Sequence, residues 1–386
     1  MKRIYLDYAA ATPVRDEVKM VMEEFSGKVY GNASGIYQEG LEAKKALEDS
    51  RKKIAKIISA RTHEIIFTSG GTEANNLAIF GSASKSDFKG FSEVGLRESR
   101  GHIITAAFEH RSVLEPIREL EKRGFEVTYL LVNRDGFVDP EDVKKALRQD
   151  TILVSIMYVN NEIGTIQPVR EISKRIKNFN KDIIFHTDAC QTAGYLDISV
   201  EKLGVDLMTV SGAKIYGPKG VGFLYKRDSV ILTPQIYGGG QEFGFRSGTE
   251  PIAQIVGLAL AFEISVSERD REATRLKGLR DYFADSIIKN IKNVEINGDL
   301  KNRIPSNLSV SFLGRESEPL IIALDEKGIA VSSGSACDSK LSELPHVIMA
   351  LDKGRDAAKS VIRFSLGINT TRKDIDYVLK TLSEIV

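Results

Sequence analysis

The sequence predicts an α/β fold, a mostly parallel sheet covered by helices on both faces, followed by a smaller α+β unit. Three observations predict it. Short apolar runs alternate with helical patterns between residues 64 and 225, the β-then-α order that builds parallel sheets. After about Pro251 the texture changes to long charged helical patterns with a few short strands. At 386 residues the chain exceeds the size at which one hydrophobic core stops growing.

Taken in order, apolar positions at helical spacing run through Val14–Phe25 and Tyr37–Ile58. Glu64–Phe67 reads as a strand and Thr72–Phe80 as a helix. Ser82–Arg100 mixes Ser, Gly, Lys and Glu without period and reads as a surface loop. Ile103–Thr105 is a strand, followed by a helix over Ser112–Arg123. Phe125–Leu131, Ile152–Met157, Ile183–His186, Leu207–Val210 and Val221–Tyr225 are further strands, with helices at Glu141–Leu147 and Arg170–Asn178 between them. One long amphipathic helix is expected from Ile252 to about Ile291. Strands at Asn293–Ile296 and Leu308–Phe312 and helices near Glu318–Lys327 and Arg372–Ile385 complete the chain. The expected division is a large domain over 15–255 and a small one made of 1–14 plus 256–386.

The hydrophobic share of 42% and charged share of 28% are ordinary for a soluble globular protein. A net charge of +1 gives no general pull toward nucleic acid or anionic membrane, so any bound anion needs a local site. No stretch approaches the roughly 20 apolar residues a membrane helix needs, and Asp7 comes too early for a secretory signal. Cytoplasmic residence is the expectation. Two cysteines, Cys190 and Cys337, make a disulfide framework unlikely to be the organising device.

In open α/β sheets ligands sit beyond the carboxyl ends of strands, so motifs just after strands carry the most weight. Thr68-Ser69-Gly70-Gly71-Thr72-Glu73 follows a strand and opens a helix, where backbone N–H groups can hold an anion. A glycine turn with a threonine cap explains the same residues. His186-Thr187-Asp188-Ala189-Cys190-Gln191 falls at a strand end; His186 reads as a strand residue with satisfied hydrogen bonds and Cys190 as a buried, inert thiol. Lys214 lies in a glycine-rich turn between Ala213 and Ile215, and a lysine held out of water is a usable nucleophile toward an aldehyde. A solvated loop lysine is the competing reading there, and Lys219, between Pro218 and Gly220, fits that description better. Cys337 sits in Ser332-Ser333-Gly334-Ser335-Ala336-Cys337-Asp338-Ser339, a small, polar and expectedly mobile segment (about 332–345) that leaves a thiol accessible. Arg363 stands in an apolar strand, where an inward guanidinium needs an anion such as a carboxylate.

Together these segments resemble the cysteine desulfurases of the NifS/IscS type, within the class V aminotransferases of fold type I that use pyridoxal 5'-phosphate (PLP). The resemblance covers nearly the whole chain, through Tyr5–Thr12, Gly70–Asn76, Glu109-His110, Asn160-Asn161-Glu162-Ile163-Gly164, Asp188 with Gln191, and Lys214–Gly220. It continues through Gly238-Gly239-Gly240-Gln241-Glu242, Arg246-Ser247-Gly248-Thr249, and Ser335-Ala336-Cys337 with Arg363. It implies that Lys214 condenses with the PLP aldehyde, that Asp188 pairs with the ring nitrogen, and that Gln191 bonds the phenolate oxygen. His110 would stack on the ring and relay protons; Gly71, Thr72 and Ser211 would hold the phosphate. Thr249 would reach the phosphate in a neighbouring subunit, making the working unit a homodimer. Asn160 and Arg363 would bind L-cysteine, and Cys337 would receive its sulfur as a persulfide, leaving alanine. The sulfur would pass to an acceptor such as an iron–sulfur scaffold protein or a tRNA-thiolating enzyme. No resident metal is implied, although Cys337 could transiently ligate an iron–sulfur cluster. Selenocysteine lyase or other class V chemistry, and a PLP-poor scaffold homologue, are the alternatives; an accessible Cys337 argues against the first and Lys214, Asp188 and His110 against the second. Two positions depart from the family: Ala213 stands where a phosphate-binding histidine is usual, which implies weaker PLP retention, and Tyr8 replaces a more usual asparagine.

Overall fold

A computed structural model describes residues 3–87, 100–334 and 344–386. Its centre is a seven-stranded sheet in the order Ile65–Thr68, Gly222–Lys226, Leu207–Ser211, Ile184–Asp188, Thr151–Ser155, His102–Ala106, Glu126–Leu130. The last five strands of that order run parallel to one another, and Gly222–Lys226 is antiparallel to both its neighbours. The strands from Ile65–Thr68 through Leu207–Ser211 are buried along their whole length. Burial on both faces is why they read as continuous apolar runs with no alternation. One glycine fixes how this edge meets the functional loop. A Cβ on Gly222 would stand 2.5 Å from Val210 O and 2.9 Å from Gly70 Cα, so only glycine lets the strand pass beneath the turn at Gly70.

The second layer system is a three-stranded antiparallel sheet, Val361–Ser365, Asn307–Phe312 and Val294–Ile296. Its apolar side chains, among them Leu308, Val310 and Phe364, pack with Leu276, Phe283, Leu324 and Val378 of the helices Arg269–Asn290, Ser317–Glu326 and Arg372–Ile385. The start of the last helix is fixed by a reciprocal cap: Asp374 N–H donates to Thr371 Oγ1 and Thr371 N–H donates to Asp374 Oδ2. The chain start joins this unit, because Ile4–Tyr5 pairs in parallel with Ile329–Ala330 and Asp7 bridges to Ser365.

Two expectations need correction. The helix opened at Gly71 continues to Asp87, so Ser82–Asp87 is helical where a loop was expected, and residues 88–99 lie outside the described residues. The Ser82 hydroxyl donates to Ala78 O at 2.6 Å, which satisfies it inside the helix. The single helix expected from Ile252 to Ile291 is two, Ile252–Ser267 and Arg269–Asn290, parted at Glu268. Leu258 and Phe262 of the first join the core of the large sheet, whereas Leu276, Phe283 and Ile287 of the second join the other core. The break lets one chain segment serve two packing faces. The division expected at residue 255 falls inside the first of these helices.

Candidate active site

The carboxyl ends of the parallel strands open on a cavity of about 240 Å³. Asp188 closes the strand Ile184–Asp188, Ser211 closes Leu207–Ser211, and a single 3-10 turn, Gly212–Lys214, follows the latter. His110 caps the helix Arg111–Lys122 beyond the strand His102–Ala106. Eight of the residues singled out in the sequence line this one cavity: Gly71, Thr72, His110, Asp188, Gln191, Ser211, Lys214 and Arg363.

Lys214 is half-buried, and its Nζ donates to the carbonyls of Ala9 (3.0 Å) and Ala10 (2.5 Å). Gln191 Nε2 donates to the same Ala9 carbonyl at 3.0 Å, so the Tyr5–Thr12 segment holds both side chains at the cavity wall. Lys219, by contrast, is exposed. Asp188 is buried and each of its oxygens accepts one hydrogen bond, Oδ1 from Cys190 N (2.9 Å) and Oδ2 from Asn75 Nδ2 (2.7 Å). Donors on both oxygens fix the orientation of this carboxyl group at the cavity wall. Arg363 Nη2 donates to Asp7 Oδ1 at 2.7 Å and Nη1 to Asn161 O at 3.1 Å, while its buried Nε has no hydrogen-bond partner among the described residues. The anion that an inward Arg363 required is therefore in part Asp7.

Gly71 opens the helix Gly71–Asp87 against the cavity. A Cβ there would lie 2.8 Å from Cys190 Sγ, so glycine lets the helix start approach this thiol, just past the strand Ile184–Asp188, without displacing it. The first-turn N–H groups of a helix lack partners within it, which makes this edge the anion-binding end.

Two sequence expectations are placed elsewhere. Asn160 is fully buried away from the cavity: its Nδ2 donates to Phe108 O (2.9 Å) and its Oδ1 accepts from Glu162 N (2.9 Å) and Ile163 N (3.0 Å). Asn160 holds the turn, and the adjacent Asn161 lines the cavity with a buried Oδ1 that has no hydrogen-bond partner among the described residues. Thr249 is exposed and is not among the cavity-lining residues. Cys337 lies outside the described residues.

His186 is a buried strand residue, with Nδ1 2.8 Å from Ser155 Oγ and Nε2 3.1 Å from Thr209 Oγ1; burial pushes its pKa down to about 4. Cys190 reaches the cavity wall, and burial, aided by the Asp188 charge, holds its thiol well above the ordinary value. The sequence did not single out Glu109 by itself. It is fully buried beside the site, with Oε1 accepting from Met157 N at 2.6 Å and Oε2 lacking a hydrogen-bond partner among the described residues. Burial, together with the Asp188 charge, pushes its carboxyl well above the usual range. Its only sequence signal is its place immediately before His110.

The aminotransferase class-V family model matches residues 4–378. The chain is 50% identical over 387 residues to the cysteine desulfurase IscS of Dictyoglomus turgidum, covering 100% of this chain and 95% of that protein. The chain belongs to the class-V aminotransferases, among the NifS/IscS-type cysteine desulfurases. Two solved structures agree with that family. A NifS-like protein, 38% identical, superposes with a TM-score of 0.91 and covers 100% of this chain and 99% of its own. A structure described as SspA in complex with cysteine is 36% identical, with a TM-score of 0.80 over 95% of this chain and 99% of its own. Within the family, the cavity at the strand ends is the place to look for the chemistry.

Proposed function

We propose that this chain is a PLP-dependent cysteine desulfurase, which takes sulfur from L-cysteine, releases alanine and holds the sulfur as a persulfide on Cys337. The observation that carries the reading is the convergence of Lys214, Asp188, His110 and Gln191 on one cavity whose glycine edge is a helix start. These residues fit PLP. An amine, a carboxyl group, an amide and an anion-binding helix end match its aldehyde, ring nitrogen, phenolate oxygen and phosphate. The crowding of Gly71 against Cys190 marks the cradle that the phosphate would enter. Bound there, PLP supplies an electron sink for the Cα of the amino acid.

The chain's own residues would do the rest. Lys214 Nζ would hold the cofactor and, as a base at the cavity wall, move the Cα proton. Asp188, fixed by two donors, would keep its charge opposite the ring nitrogen. Gly71, Thr72 and Ser211 would hold the phosphate. Arg363, already oriented by Asp7, would present its fork to the substrate carboxylate, and Asn161 would replace Asn160 as the asparagine that meets substrate or cofactor. His110, with Nδ1 hydrogen-bonded to Ser112, would offer Nε2 for proton relay. Thr249, exposed on its loop, would serve a second subunit's site in a homodimer. The persulfide would pass to an acceptor such as an iron–sulfur scaffold or a tRNA-thiolating protein, in the cytoplasm.

The protein incubated with PLP, L-cysteine and a thiol is expected to release alanine and sulfide. In the absence of thiol, mass spectrometry should find one added sulfur on the peptide bearing Cys337. Cys337→Ser should abolish that adduct while the bound cofactor's visible absorbance persists. Unchanged sulfur release by Cys337→Ser would refute the role of that thiol.

A further inference from the structure

Asn75, the donor to Asp188 Oδ2, is fully buried on the helix Gly71–Asp87, one turn beyond the glycine edge. Its Nδ2 donates to two groups at once, Asp188 Oδ2 at 2.7 Å and Ser112 Oγ at 2.8 Å. Its Oδ1 is buried without a hydrogen-bond partner among the described residues. The orientation of the amide is not arbitrary. Rotating it would set an oxygen against the Asp188 carboxylate, so the Asp188 charge holds the NH₂ inward even though the carbonyl is left unpaired.

The direction of the next bond follows. Ser112 Oγ accepts from Asn75, which leaves its one hydrogen for His110 Nδ1, 2.7 Å away. The backbone N–H of Ser112 donates to the same Nδ1 at 3.1 Å. With two donors aimed at it, Nδ1 carries no proton, and a neutral His110 bears its proton on Nε2.

We infer that Asn75 is a positioning residue: through Ser112 it sets His110 as the Nε2–H tautomer, and it ties that setting to the carboxylate of Asp188. The hydrogen-bond chain runs Asp188–Asn75–Ser112–His110 and links the two sides of the cavity. A merely space-filling Asn75 would leave the tautomer of His110 indifferent to the chemistry at position 75. The consequence for sulfur transfer rests on the function proposed above, whereas the tautomer does not.

The chain has only five histidines, so the PLP-loaded protein labelled with ¹⁵N-histidine suits NMR, with His110→Gln assigning the signal. The native protein is expected to give a pyridine-like Nδ1 and a pyrrole-like Nε2 for His110 near neutral pH. Asn75→Leu keeps the size but donates nothing, which frees the Ser112 hydroxyl from its fixed direction; Ser112→Ala removes that hydroxyl outright. Both should move the His110 ring shifts toward a tautomer mixture. Ser112→Thr, which retains the hydroxyl, should keep the native pattern. The buried His102 and His186 should not move, which reports an intact sheet. In cysteine turnover, Ser112→Ala should lower kcat by about tenfold at most, the worth of one neutral hydrogen bond, with KM little changed. Native-like His110 shifts in both Asn75→Leu and Ser112→Ala, or an Nδ1–H ring in the native protein, would overturn the inference. Absence of alanine formation with the expected shifts would instead count against the proposed function alone.

Discussion

Replacing Arg51 by alanine should destabilise the protein far more than any surface charge change. Arg51 Nη1 and Nη2 donate to Glu242 Oε2 and Oε1 at 2.7 and 2.8 Å, and both side chains are 2% exposed. The same carboxylate accepts Phe67 N–H at 2.8 Å, and the rings of Phe67 and Phe243 lie 4.8 and 4.9 Å from the guanidinium carbon. Glu242 and Phe243 both adopt left-handed backbone conformations, at φ 48° and 59°, so the pair also pins an unfavourable turn. That turn begins the segment leading to Thr249. Without Arg51 the carboxylate stays buried with one backbone donor. Breaking such a pair costs about 3–5 kcal/mol, a large share of the 5–15 kcal/mol that stabilises a typical fold. Replacing both partners, as in Arg51→Met with Glu242→Leu, removes the orphaned charge and should cost less than Arg51→Ala alone. Urea unfolding at fixed protein concentration, followed by circular dichroism, measures both. A loss below about 1 kcal/mol for Arg51→Ala would refute the reasoning, because an isolated buried carboxylate cannot be that cheap.

Glu109→Gln should stabilise the protein in a pH-dependent way. The carboxyl is held well above its ordinary value of 4.5, so the folded chain keeps a proton that the unfolded chain releases. Native stability is then lost as pH rises above that ordinary value, by about 1.4 kcal/mol per unit until the folded group titrates. Melting curves should show the glutamine variant gaining over the native protein two to three units above the ordinary value and losing that advantage near it; a pH-independent difference would contradict this. Ala213→His should restore a phosphate donor at the cavity wall, where Ala213 now stands. Tighter PLP binding by roughly ten- to a hundredfold is expected, the worth of about 1.5–3 kcal/mol for a hydrogen bond to a charged group. Unchanged affinity in a fluorescence titration would remove the claim that Ala213 weakens retention.

Much of this site could be read from the sequence because its residues sit at strand ends, and strand ends are visible as apolar runs that stop. Gly71, Asp188, Ser211 and Lys214 each follow such a run within a few positions. What could not be read depends on contacts far apart in the chain or on backbone direction. Asn160 and Asn161 are chemically identical neighbours, and only the turn geometry sends the first inward to Phe108 and the second to the cavity. Asn75 finds Asp188 across 113 positions and Arg51 finds Glu242 across 191, distances over which local pattern carries no information. The helix break at Glu268 has no glycine or proline to announce it; two cores competing for one apolar stripe decide it. Ser82–Asp87 read as a loop from small polar composition, and a serine that bonds back to its own helix erases that signal.

The central claim is that Lys214 holds an aldehyde cofactor in the cavity it shares with Asp188. Borohydride reduction of the PLP-loaded protein, followed by peptide mapping, tests it directly. A single pyridoxyl-lysine is expected, on Lys214 and absent from Lys214→Ala. An adduct on the exposed Lys219 in place of Lys214, or none at all from a protein that visibly binds PLP, would contradict it.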